Sequence, residues 1–142
     1  MKTRQELFNA VALALIAQRG PSFEVGKGCM YRGPNGRKCA AGHLIPDEVY
    51  RPTMETISFS GLDTPVYDAM GVDDKDVLFV QRLQRAHDAP VLNSPGALSD
   101  ASSDPFATPT DTEWFADWVA GMRRIASELG LSTAVFTDAG VI

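Results

Sequence analysis

The chain has 142 residues, 44% of them apolar, with a formal net charge of -5 and a sequence pI near 4.9. That length suits one domain able to bury its own core. The acidic balance excludes broad nucleic-acid or anionic-membrane binding, both of which need a positive field, and no run approaches the roughly 18 apolar residues of a membrane span.

Thr3 and Glu6 form a capping box at the start of a helix expected over residues 4–19. Leu7, Phe8, Val11 and Leu15 recur along it at helical spacing, and Gly20-Pro21 is expected to end it. No small-residue cleavage site follows this apolar run, so the expected compartment is the cytoplasm. In a reducing cytosol two cysteines are thiols or ligands rather than a disulfide.

Phe23 to Val25 reads as a short extended piece. The next stretch, Gly28 to Asp47, concentrates the reactive side chains. Cys29–Arg32 and Arg37–Ala40 flank Gly33-Pro34-Asn35-Gly36, a strong turn signal that predicts a β-hairpin. One register puts Arg32 opposite Cys39 and another puts Cys29 opposite Cys39; the sequence leaves both open, and each brings the thiols near one another. Ala40–Ile45 reads as a short helical turn. Pro46 suits the start of another helix over 47–51.

Ile57–Phe59 alternates weakly, as a third strand would. Thr64-Pro65 reads as the cap and first residue of a helix closed by Gly71. A longer helix is expected to start at Asp73 or Asp74 and to end at Pro90, with Val77, Val80, Leu83, Gln84 and His87 on one side. Residues 89–109, rich in Pro, Ser, Ala and Asp, predict a mobile loop. Thr110 and Glu113 form a second capping box. Trp114, Trp118, Val119, Met122, Ile125, Ala126 and Leu129 then mark the clearest helix, expected to be the central one, with Gly130-Leu131 as its cap. Residues 132–142 show no period and read as an edge strand or a frayed tail. The expected fold is a single α+β domain over 1–142, with four or five helices packed on a small antiparallel hairpin sheet.

Four chemistries deserve weighing. Cys29, Cys39, His43 and His87 make up a zinc complement of two thiolates and two imidazoles, although C-x9-C-x3-H is not a standard spacing. Cys39, beside Lys38 and a helix start, suits a nucleophilic thiol. His43 or His87 would be its base, Asp88 or Asp47 the orienting acid, and the Ala40-Ala41-Gly42 amides an oxyanion donor set. Asp47, Glu48, Asp73, Asp74 and Asp76 offer carboxylates for Mg²⁺, yet helix starts favour acids without any metal. The tip carrying Arg32, Arg37 and Lys38 suits an anion. Against these stand plainer readings: buried thiols acting as small hydrophobes, a satisfied helix-terminal histidine, solvated Arg82, Arg85, Arg123 and Arg124, and two core tryptophans.

Cys29-Met30-Tyr31-Arg32, Gly36-Arg37-Lys38-Cys39-Ala40-Ala41-Gly42, Leu44-Ile45-Pro46-Asp47 with Tyr50, and Leu83-Gln84-Arg85-Ala86-His87-Asp88 together resemble a pattern in small proteins of tailed phages and prophages. The resemblance implies an origin and no particular reaction. It also implies a link between the Cys29–Asp47 block and His87-Asp88, and in that pattern the His43 position varies. The leading expectation is a non-enzymatic accessory protein without a cofactor, working in the host cytoplasm. It would engage a host protein or a small anionic ligand through Arg32, Arg37, Lys38, His43, Asp47 and His87, as a counter-defence factor for example. The rivals are a thiol-dependent hydrolase or transferase using Cys39, His87 and Asp88, and a structural zinc module.

Overall fold

A computed structural model describes residues 1–24, 26–93 and 108–141. Among these residues, six α-helices and one two-stranded antiparallel sheet make a helix-rich α+β fold. Helix α1 (Arg4–Gln18) begins at Thr3 with the expected capping box and buries Leu7, Phe8, Val11, Ala12, Leu15 and Ile16. It ends at Arg19, which itself takes the left-handed conformation (φ 62°) with its guanidinium 4.3 Å from the Phe115 ring centroid. Gly20 serves a different purpose. A Cβ there would lie 2.7 Å from Asp111 Oδ1, on the ion pair that Arg37 makes with Asp111.

The expected 29–40 hairpin does not form. Strand β1 (Phe23–Glu24) pairs instead with β2 (Gly28–Cys29), in the register Phe23↔Cys29 and Glu24↔Gly28. Beyond Cys29 only a single bridge, Arg32↔Lys38, spans the turn, and Pro34–Gly36 is one turn of 3₁₀ helix. The reason is competition for donors. Pro34 has no amide hydrogen, and the amides of Tyr31 and Arg32 both donate to the Glu55 carboxylate, at 2.9 and 3.0 Å. Neither predicted register is therefore realised.

Helix α2 (Ala40–Leu44) follows as expected. Residues 47–49 form only a turn, and the segment expected to be a third strand is replaced by 3₁₀ turns at Pro52–Thr56 and Phe59–Gly61. Phe59 is buried edge-on to Tyr67, whose hydroxyl donates to the Phe59 carbonyl at 2.6 Å, so the apolar residue anchors a turn rather than a ladder. Helix α3 (Thr64–Met70) has Asp63 at its N-cap position, one residue before the expected Thr64 and without a side-chain capping bond, and closes at Gly71. Asp73 caps a 3₁₀ turn, Asp74–Asp76, that leads into α4 (Val77–Leu92).

Helix α4 passes through Pro90 instead of stopping there. Pro90 sits in the last turn, where the missing amide leaves only the Ala86 carbonyl without its helical donor. Residues 89–92 of the expected loop are thus helical, and 94–107 lie outside the described residues. Helix α5 (Asp111–Leu129) has its capping box at Thr110 and its left-handed cap at Gly130. The 132–142 segment is neither strand nor tail over its described residues. It contains α6 (Ala134–Asp138), and Phe136 is fully buried, edge-on to both Phe8 and Trp118.

The hub of the packing is α4 rather than α5. Helix α4 touches α5, α2, α1, β2 and the Phe59–Gly61 turn. Its Val80, Leu83 and His87 face the core, while Gln81, Gln84 and Asp88 recur at i, i+3 and i+7 on a neighbouring stripe.

Two glycines test this packing. A Cβ on Gly42 would lie inside the van der Waals envelope of the Tyr31 backbone carbonyl, whereas on Gly121 it would meet Ala86 Cβ at an ordinary 3.5 Å. Gly42→Ala is expected to destabilise by about 3 kcal/mol or more, since backbone cannot step aside. Gly121→Ala is expected to be neutral or to stabilise by up to about 1 kcal/mol through helix propensity. Urea denaturation midpoints of the two variants check both expectations.

Candidate functional site

The chemistry-bearing residues meet where α4 passes α2 and β2. His87 is fully buried. Its Nε2 takes the Ser22 backbone N–H at 3.0 Å, and its Nδ1 lies 2.8 Å from Asp88 Oδ1. A backbone amide can only donate, so Nε2 presents a lone pair and the ring proton sits on Nδ1, donated to Asp88. The Trp114 indole donates to the His87 carbonyl at 2.9 Å, and the two rings meet edge-on at 5.4 Å.

Gln84 extends the network by one helical turn. Its amide nitrogen donates to Asp88 Oδ1 at 2.8 Å, and its oxygen accepts the Ala41 N–H at 2.8 Å. Cys39 is the N-cap of α2, where its sulfur accepts the Gly42 N–H at 3.3 Å. Cys29, at the end of β2, brings its sulfur within 4.8 Å of the Asp88 carboxylate. These groups open into a cleft of about 250 Å³ lined also by Tyr31, Glu55 and Gln81. Comparison of the chain with protein-family models, with curated proteins and with solved structures finds no match in any of the three. The site must therefore be read from its own geometry.

The zinc set is not assembled. Among the described residues, the one cluster with suitable donor atoms is Cys29, His87 and Asp88, all within 4.8 Å of one another. Cys39 and His43 stand outside it. His87 does not fit a ligand role either: a metal-bound imidazole turns its other nitrogen, carrying the proton, toward an acceptor, but here Nε2 faces a donor. With the proton on Nδ1 no lone pair remains for a metal.

The same geometry speaks against His87 as the base of a Cys39 nucleophile. A base for Cys39 needs a free imidazole nitrogen, and both nitrogens of His87 are engaged, with Ser22 and Asp88. Burial pushes the Cys39 thiol well above its ordinary range, outweighing the Gly42 amide at the helix start. Burial, then the Asp88 charge, raises Cys29 in the same way. The five acids proposed for Mg²⁺ do not gather as a group: Asp47 pairs with Arg32, Asp73 caps Lys75, and buried Asp76 pairs with Arg4 at 2.8 Å.

The basic tip is neutralised from within. Arg32 holds Asp47 at 2.7 Å and the Ile45 carbonyl at 2.9 Å, and stacks 4.6 Å above Tyr50. Arg37 grips both oxygens of Asp111, at 3.0 and 2.6 Å, which lowers the Asp111 pKa. Lys38 adds a longer 3.8 Å contact to Asp47. These residues stitch the surface together and leave no free cation for an anionic ligand at the tip.

His43 lies apart from His87. Its Nε2 is 2.9 Å from Gln18 Oε1, whose amide nitrogen is fixed by the Gly20 and Lys38 carbonyls, so His43 Nε2 carries the proton. Burial, followed by Lys38, His87 and Arg32, brings its pKa from 6.5 down to about 4. Gln84 was visible in the sequence as an amide on an apolar helix stripe. Glu55, Gln81 and the Ser22 amide carried no such signal.

Two outcomes follow from this chemistry. The unfolded chain takes up the His43 proton before the folded one does, so this contribution to stability is intact above pH 6.5 and is lost as the pH falls toward about 4. Thermal unfolding across that window is expected to show a shallower loss for His43→Gln than for the wild type. Iodoacetamide at pH 7.5 is expected to leave both thiols of the native protein unmodified and to alkylate both in urea, read by intact mass. Rapid native labelling of Cys39 would restore the nucleophile reading.

Proposed function

We propose that the chain is a phage-type accessory binding protein whose cleft takes a basic side chain, a guanidinium or ammonium group, from a partner protein. One observation carries this reading. The described residues lining the cleft include two carboxylates, Glu55 and Asp88, and no Lys, Arg or His. The carboxylates are held differently. Glu55 is occupied by the Tyr31 and Arg32 amides and by the Tyr50 hydroxyl at 2.6 Å. Asp88 receives His87 and Gln84 on one oxygen and keeps 21% of its side-chain surface open.

A carboxylate held in position on one side and open on the other suits a charge-assisted hydrogen bond to an incoming donor. Gln81 sits beside it. Its oxygen accepts the Ser60 amide at 3.0 Å, and its NH₂ would donate to a further acceptor on the partner. The cleft volume of about 250 Å³ matches one long side chain better than a whole cofactor. The resemblance to phage and prophage proteins supplies the setting, in which the partner would be a host protein met in the host cytoplasm. This reading keeps a protein partner and reverses the sign of the group recognised.

The test is an NMR titration with N-acetyl-arginine amide. Shifts centred on Cys29, Tyr31, Gln84 and Asp88 are expected, with binding weakened about tenfold or more in Asp88→Asn, the loss of one charge-assisted hydrogen bond. The asparagine oxygen can still accept from His87 and Gln84, so the fold should persist. Arg32→Ala is expected to lower stability and leave this binding unchanged. If N-acetyl-glutamate amide shifts the cleft and the arginine probe does not, the proposal fails.

A further inference from the structure

The charge inventory of the surface points to a second site. The chain has 13 Lys and Arg residues. Arg4, Lys27, Arg32, Arg37, Lys38 and Arg82 are in ion pairs with Asp or Glu. Arg19 and Arg123 lie over Phe115 and Phe136, while Lys2 and Arg51 donate to backbone carbonyls. Among the described residues, only the side chains of Lys75, Arg85 and Arg124 are left without such a partner. Two of these three border the same groove.

That groove lies between α4 and α5 and encloses about 520 Å³, within the range of small-molecule sites. Arg85 comes from one helix and Arg124 from the other. The floor is Ala86, Ala89, Ala120 and Gly121, and the small size of these residues opens the space. Arg82 also lines it but is held by Glu128. Asp117 is the single carboxylate lining it, and it has no cation partner among the described residues.

We propose that this groove binds a small organic phosphate ester bearing hydroxyl groups, of nucleotide size. Two guanidinium forks on facing helices suit a phosphate, which accepts paired N–H bonds. Asp117 is an acceptor for a hydroxyl on the same molecule, and the alanine and glycine floor suits an apolar ring face. Asp117 also argues against an extended polyanion, because a string of phosphates along the groove would meet it as a like charge. The net charge of -5 acts in the same direction. This site is on a different stripe of α4 from the cleft and does not depend on the reading given to the cleft.

The experiment is an NMR titration of the full chain with adenosine 5′-monophosphate, run beside adenosine and inorganic phosphate. Saturable shifts confined to Arg85, Ala89, Gly121 and Arg124 are expected. Arg85→Gln and Arg124→Gln should each weaken binding about tenfold or more, the loss of a charge-assisted contact. Asp117→Ala should lower the affinity of the monophosphate relative to that of inorganic phosphate, because only the ester loses a hydroxyl acceptor. Both arginines are exposed, so the variants should keep the wild-type melting temperature. No saturation at low millimolar monophosphate would overturn the proposal. So would equal binding by the arginine variants, equal binding of adenosine, or preference for a single-stranded oligonucleotide over the monophosphate.

Discussion

A backbone amide facing an imidazole lone pair organises much of this molecule. Ser22 N–H on His87 Nε2 sets the tautomer, the tautomer sends the remaining proton to Asp88, and Asp88 then orders Gln84. Gln84 in turn fixes the amide of Ala41 at the start of α2. The Ser22–His87 and Ala41–Gln84 bonds are buried, so an orphaned partner there would cost about 1 to 3 kcal/mol. Such a network is worth most when complete, and here it joins β1's approach, α2, α4 and α5 at one point.

Much of the helical content was legible in the chain. The capping boxes at Thr3 and Thr110, the apolar periodicities and the glycine caps at 71 and 130 are local signals, and local signals survive folding. What could not be read was decided by competition between distant groups. Glu55 takes the amides that a hairpin ladder would have used, and nothing in the hairpin's own sequence announces it. Arg19, rather than the glycine beside it, takes the left-handed cap while its guanidinium rests on Phe115. A five-residue helix with one buried aromatic, such as the one carrying Phe136, has too few turns to show a period.

The site was half legible for the same reason. Cys29, Cys39, His87 and Asp88 are reactive types in unusual concentration, and they do come to one place. Their roles depend on which atom faces which, and composition is silent about that. The arginines and lysine of the turn illustrate the point: a basic segment reads as anion-binding until Asp47 and Asp111 arrive from elsewhere in the chain. Charge freed from internal pairing, not charge itself, marks a surface able to bind. By that standard α4 carries an acidic stripe through Asp88 and a basic one through Arg85, separated by the curvature of one helix.

The Ser22–His87 and Arg37–Asp111 contacts span 65 and 74 residues of chain. Closing loops of that size loses conformational entropy before the contacts return anything, which favours slow, late assembly of this region. The Gly28–Asp47 block is therefore not a portable module. Cut out as a peptide or grafted onto another scaffold, it would lack Glu55, which holds the Tyr31 and Arg32 amides, Asp111, which neutralises Arg37, and the Gln84 oxygen that accepts the Ala41 amide at the start of α2. Its chemistry exists only as a property of the whole folded chain.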